Sequence, residues 1–364
     1  MNALSKSCNP ARGVWSARLF GSVVTLAAAI SLFFAVPPAF AEAEIVAEWL
    51  DRNPPLDPND PAWHKTKAVE VSLYPQRTVS PGSAAMDVAR IAVRALYNGE
   101  AIALWLEWRD RAPADIVSVG RFADAVAVQW PVEYGPGRGL PYVGMGDPSR
   151  PVALWFWRAD GKVETLAAAG FGSLTAQPSD GVEAKGVWED GIWRVVFRRP
   201  LRALQGDEMV RFDPARQGLI PLALATWQGE AGQRDGDKRL SGWRALRFEG
   251  GKRETGEAEL FGAAAPAEGN PEAGRKLMLE RDCAGCHAFP GNPERPAAGP
   301  DLTYVGGIHN PSYLLESLLQ PSQIIVPGKG FHEMEDGRRT SLMPPFEGSE
   351  QERRDITAFL GTLR

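Results

Sequence analysis

Two cysteines separated by two residues, with a histidine directly after the second, constrain this chain more than any other feature: Cys283-Ala284-Gly285-Cys286-His287. The chain has three cysteines, and the third, Cys8, lies close to the N-terminus. A close pair could form a disulfide in an oxidising compartment, but that would leave the adjacent histidine without a part. A zinc site would need further Cys or His ligands at suitable spacing, and none is near. The order C-x-x-C-H is that of covalent haem attachment. Two thiols add to the two vinyl groups of a porphyrin, and the next residue is thereby set beneath the iron as a ligand.

The residues around this box are those of a small helical domain. Pro271 to Arg281 and Pro311 to Leu319 suit short helices, and Glu350 to Leu363 is amphipathic, with Ile356, Phe359, Leu360 and Leu363 on one face. A core of this size needs a staple, which a bound haem supplies. The sixth iron ligand is expected at Met343, within Leu342-Met343-Pro344-Pro345-Phe346. Prolines stiffen that loop, and a thioether raises the potential. Met334 is the rival, and His309 and His332 are expected to stay unligated. Gly299-Pro300-Asp301-Leu302 fits the loop whose carbonyl orients the ligating imidazole through its other nitrogen. Taken together, Pro271 to Arg364 resembles class I cytochrome c, with attachment box, Gly-Pro loop, Met-Pro loop and terminal helix in family order. Two filled axial positions suit a domain that carries electrons and does no bond chemistry.

The first 41 residues read as an export signal. Arg12 and Arg18 give positive charge, Leu19 to Val36 are almost all apolar, and Ala39-Phe40-Ala41 is a small-residue cleavage site. The two arginines are not paired, so the twin-arginine route is not suggested. An uncleaved anchor is the alternative, since the apolar run approaches the length of a bilayer span. Cleavage would remove Cys8 and leave a mature, soluble protein in the periplasm. The net charge of −5 over 364 residues, without a basic block, gives no footprint for nucleic acid.

Between Ala68 and Phe248 the pattern is all-β. Runs rich in β-branched and aromatic residues recur: Val69 to Leu73, Val88 to Leu96, Ile102 to Trp108, Ala125 to Trp130, Val152 to Trp157, Val187 to Phe197, Leu219 to Trp227 and Trp243 to Phe248. Asn98-Gly99 and Asp190-Gly191 are hairpin signals, because such pairs tolerate positive φ. Many short strands joined by hairpins predict an antiparallel sandwich of two sheets. The predicted organisation is a signal over 1–41, a β-sandwich over 42–262, a flexible linker over 263–270 and the cytochrome c domain over 271–364.

The β region also has a family texture. It lies in Val93 to Gly99, Ile102 to Trp108, Phe122 to Gln129, Met145-Gly146-Asp147 followed by Val152 to Trp157, and Lys238 to Trp243. These resemble the haem b-binding gamma subunit of the type II dimethyl sulfoxide reductase family, the subunit of ethylbenzene and dimethyl sulfide dehydrogenase-like enzymes. The resemblance implies a non-covalent haem b held by one Met and one Lys, which carry over to Met145 and Lys238. Met145 lies between glycines in a loop before a strand, and Lys238 would have to bind as the neutral amine, which needs burial. Met86 is the fallback Met, and Lys162 and Lys185 are alternative lysines. The many tryptophans, among them Trp105, Trp108, Trp130, Trp155 and Trp157, fit a sandwich core.

The implied role is a periplasmic two-haem electron-transfer subunit of a molybdenum-dependent oxidoreductase, with a molybdenum catalytic subunit, an iron–sulfur subunit and a respiratory-chain carrier as partners. The fused cytochrome departs from that family's usual subunit and would act as a tethered acceptor. The other reading is a monohaem cytochrome c fused to a β-sandwich that binds a ligand or docks a partner. No nucleophile–base constellation supports a free-standing enzyme, and His64 is the one histidine between the signal and the cytochrome region.

Overall fold

The structure, a computed structural model, describes residues 44–76, 87–135, 137–178, 180–202, 209–252, 260–261, 269–292, 294, 298–326 and 330–364. The expected signal, most of the linker and Met86 lie outside these residues.

The strands of the first part, in chain order, are β1 (Ile45–Trp49), β2 (Val69–Gln76), β3 (Ala89–Tyr97), β4 (Ala101–Arg109), β5 (Ala125–Pro131), β6 (Val152–Arg158) and β7 (Val163–Ala168). They continue with β8 (Thr175–Ala176), β9 (Glu183–Glu189), β10 (Ile192–Pro200), β11 (Ile220–Trp227), β12 (Lys238–Leu240) and β13 (Arg244–Phe248). A short helix, α1 (Pro61–Lys65), precedes β2; Asp60 caps it and His64 sits in its last turn. The hydrogen-bonded path runs β8-β7-β6-β5-β11-β12-β2-β3-β4-β10-β9. It folds back on itself as two layers. Val126, Val128, Trp155 and Trp157 of one layer share a core with Ile91, Leu104, Leu106, Val195 and Phe197 of the other. β2 passes between layers: its first residues pair with β3, and Tyr74 to Gln76 pair with β12.

The sandwich is antiparallel as expected, except that β1 runs parallel to both β3 and β13. The Asp190-Gly191 turn has both φ values positive, at 50° and 80°. The Asn98 turn closes differently. Its side-chain oxygen accepts the N–H groups of Glu100 and Ala101 at 2.9 and 2.8 Å, so the carboxamide itself shapes the bend.

The C-terminal part carries α2 (Pro271–Glu280), α3 (Cys283–Cys286), α4 (Val305–Ile308), α5 (Pro311–Leu319) and α6 (Glu350–Thr362). Asn270, Asn310 and Ser349 cap three of these helices, and Ser349 forms a full capping box with Glu352. The first and last helices cross closely, because a side chain at Gly274 would overlap the backbone at Asp355. A hairpin of β14 (His332–Glu335) and β15 (Arg338–Ser341) interrupts the otherwise helical domain. The all-α expectation missed it, since four-residue strands carry almost no periodic signal.

The cytochrome part is packed against the sandwich, and Phe40–Arg364 form one compact unit. Gly307 is pressed on the ring of Tyr74, and a Cβ at Gly242 would lie 3.0 Å from the Ile308 carbonyl. Gly307→Ala should therefore force two packed surfaces apart and destabilise the full chain by about 1–3 kcal/mol in denaturant unfolding. Gly99→Ala, which meets open space, should leave the midpoint unchanged.

Candidate haem sites

The covalent site is built from one turn of helix and the loop after it. Cys283 and Cys286 are free thiols on the same short helix. The His287 N–H closes that turn on the Cys283 carbonyl at 2.9 Å. His287 Nδ1 lies 2.8 Å from the Pro300 carbonyl oxygen. A carbonyl can only accept, so Nδ1 carries the hydrogen and Nε2 keeps its lone pair for a metal. Burial lowers the imidazole pKa, opposed by that hydrogen bond, which favours the neutral ring that binds iron. Gly299 permits the approach, since a Cβ there would sit 2.7 Å from His287 Cε1. Asn292 holds the box from outside, donating to the carbonyls of Ala284 and His287 at 2.8 Å each.

Met343 packs in the same apolar cluster as Cys283, Ala284, Leu302 and Tyr313. Its N–H rests on Ser341 Oγ at 3.1 Å. Met334 points outward on the hairpin, 63% exposed. The structure thus gathers Met343 with the cysteine box and leaves its rival in solvent. His332 Nδ1, opposite Ser341 across the hairpin, is buried with no hydrogen-bond partner among the described residues.

The second site lies on the outer face of β5, β6, β11 and β12. Strand register sets Tyr74, Leu240, Ala225, Ala127 and Phe156 in one row across the layer. Ala223, Ala225 and Ala127 leave a flat apolar floor, bordered by Leu154, Phe156, Trp227, Leu240 and Trp243. Lys238 stands on the same side of β12 as Leu240, because alternate residues share a face. It is 3% exposed. No hydrogen bond or ion pair to its amine is found among the described residues; Nζ faces the ring of Trp227 at 5.4 Å. Burial pushes its pKa down to about 8, against a small opposing pull from Asp235. Lys162 and Lys185 are half-exposed and paired to Glu164 and Asp57.

Met145 reaches the same cluster from a loop laid over the floor. Its φ of 96° is outside the comfortable range of a side-chain-bearing residue. Such a conformation costs on the order of 1–3 kcal/mol and persists only when its surroundings impose it. Here Gly146 N–H donates to the Tyr142 carbonyl at 2.7 Å, and Asp147 accepts from Tyr142 N–H at 3.2 Å, Ser149 Oγ at 2.6 Å and Arg150 Nε at 2.9 Å. From the floor, Gln129 Nε2 donates to the Val143 carbonyl at 2.8 Å. Sequence reading missed Gln129, although a lone amide in the run Ala125 to Trp130 was a visible signal.

A flat apolar prosthetic group with a soft ligand and an amine ligand requires a level floor, a thioether and a lysine that can shed its proton. The residues here fit that requirement. Comparisons with known proteins bear on the family of the chain as a whole. The ethylbenzene dehydrogenase family model matches residues 60–181, and the cytochrome c model matches 271–364. The ORF7 product of Haloferax mediterranei, named for a haem subunit of a respiratory nitrate reductase, is 32% identical over 60% of this chain and 79% of its own. The chlorate reductase gamma subunit of Ideonella dechloratans is 33% identical over 52% and 79%. The dimethylsulfide dehydrogenase gamma subunit of Rhodovulum sulfidophilum is 33% identical over 51% and 72%. This chain belongs to the haem-binding gamma-subunit family.

As a gamma subunit extended by a cytochrome c domain, it is an electron-transfer component and not a catalytic one. A carbohydrate-binding module of family 9 from Caldicellulosiruptor kristjanssonii, 11% identical and matching 59% of this chain and 96% of its own, has a TM-score of 0.35, too low to carry an argument.

The buried amine of Lys238 makes a measurable demand on the apoprotein. Above pH ~10.5 it is neutral whether folded or unfolded, and burial carries no penalty. Below the folded pKa of about 8 it is charged in both states, and the penalty is complete. Lys238→Met, measured on protein freed of extractable haem, should stabilise by on the order of 3 kcal/mol at pH 7. The gain should fade between pH ~8 and ~10.5 when the two stability curves are subtracted.

Proposed function

We propose that this gamma subunit is a periplasmic two-haem relay of a molybdenum-dependent oxidoreductase. Its boundaries would be a signal over 1–41, a haem b sandwich over 42–262 and a cytochrome c domain over 271–364. Each haem supplies, when bound, a one-electron iron couple. Met145 and Lys238 would hold the iron of a non-covalent haem b. Cys283 and Cys286 would fix haem c through its vinyl carbons, with His287 and Met343 on its iron. The observation that carries the reading is Lys238: a buried amine with no hydrogen bond or ion pair among the described residues, beside an alanine floor on which a strained methionine loop is laid.

The protein's own groups would do the rest. His287 keeps a neutral ring aimed by Pro300, Asp147 keeps the Met145 loop closed, and the Trp227 ring covers the lysine amine. Partners follow from the relatives' names, which are those of reductase and dehydrogenase subunits. A molybdenum catalytic subunit would exchange electrons through an iron–sulfur subunit at the sandwich, and a respiratory carrier would do so at the cytochrome. The export signal expected over 1–41 supports a periplasmic setting.

A pyridine haemochrome spectrum of the mature protein, taken before and after acid-acetone extraction, should count one covalent haem c and one extractable haem b. Lys238→Ala should remove or shift the b bands and leave the c bands alone. A single c haem with nothing extractable would instead favour a monohaem cytochrome fused to a docking module.

A further inference from the structure

The segment from Tyr304 to Tyr313 belongs to both sites. Tyr304 and Ile308 pack in the cluster that contains Met145, Leu240 and the alanine floor. Tyr313, on α5, packs in the cluster that contains Cys283 and Met343. Between them stands a stack of three rings. Tyr142, three residues before Met145, lies nearly parallel to His309, with ring centroids 5.3 Å apart and planes at 19°. His309 meets Tyr313 at 4.4 Å, and Tyr142 meets Tyr313 at 5.1 Å.

We infer that the Tyr142–His309–Tyr313 stack is the fixed bridge between the two haem sites, holding the cytochrome domain docked on the sandwich while electrons pass. This rests on the two-haem reading and specifies how its sites communicate. Three physical points support it. The close approaches of Gly242 to Ile308 and of Gly307 to Tyr74 leave no room for water at those two points. The rim is pinned by Arg150, which pairs with Glu316 of α5 at 3.6 Å and also with Asp147 of the Met145 loop. The stack is also uncharged: burial pushes the His309 pKa down to about 3 and raises both tyrosines. Electron tunnelling weakens far less through packed atoms than across a gap, so a dense aromatic contact keeps both sites coupled. A cytochrome that swung on its linker would couple only while docked.

One electron leaves one site and arrives at the other, and no bond forms or breaks. The experiment uses the full chain with its haem content counted by haemochrome, reduced by a flash-generated flavin. The rate of equilibration between b and c absorbances is followed while sucrose raises the viscosity. The wild-type rate should stay nearly constant. Tyr142→Ala/His309→Ala should slow it roughly tenfold or more and make it fall as viscosity rises, the signature of a domain that must find its dock. His309→Leu, which fills the space without a ring, should slow it without adding viscosity dependence, and Tyr142→Phe should remain near wild type. Unchanged haem bands in each variant show that both sites still form. A wild-type rate inversely proportional to viscosity overturns the bridge, as does a double variant that transfers at the wild-type rate. A sample with one haem and no equilibration phase overturns the two-haem reading, and the bridge with it.

Discussion

Strands β5 and β11 are buried on both faces, and the rest of the molecule is arranged around that fact. A sandwich strand ordinarily buries one face and offers the other to water. Here the inner face makes the tryptophan-rich core, and the outer face, levelled by Ala127, Ala223 and Ala225, must be covered by something else. Part of the cover is the chain itself: the Met145 loop, Trp243, and the Tyr304 to Ile308 segment of the cytochrome domain. Docking of the second domain is therefore a consequence of how the first one buries its surface. Two costly features remain on that face, a methionine at positive φ and a buried lysine whose amine has no hydrogen bond or ion pair among the described residues. A local fold gains nothing from either, whereas a metal-binding site would gain from both.

Much of this was legible in the sequence, because it rests on local chemistry. The C-x-x-C-H box, the helix over Pro311 to Leu319 and the Asp190-Gly191 turn depend on neighbours in the chain, and each is found where expected. The runs Ala125 to Trp130 and Leu219 to Trp227 signalled strands, though not that both of their faces are buried. What covers them was not legible. The stack of Tyr142, His309 and Tyr313 joins residues about 170 positions apart in the chain. His309 alone looked like a loop histidine, and the linker composition suggested a free tether. Long-range packing decided otherwise. The parallel pairing of β1 escaped for the same reason, since its partners β3 and β13 lie far along the chain.

The two candidate sites also differ in how the protein secures the residues proposed as ligands. At the cytochrome box the backbone does the work: a helical turn, a carbonyl on Nδ1 and a glycine where any side chain would collide. At the sandwich face, side chains hold the loop, chiefly Asp147 and Gln129. Covalent attachment tolerates a small, partly exposed domain, whereas a non-covalent group needs a preformed and dry enclosure. The chain has a setting of each kind, where the proposed ligand sets would require it.

The central claim is that two haem sites sit in one rigid body. Pulsed electron paramagnetic resonance on the frozen, oxidised full chain measures the distance between two low-spin ferric centres and the spread of that distance. The account predicts two ferric signals and a single narrow distribution. One signal alone, or a broad distribution of the kind a tethered domain produces, would contradict it.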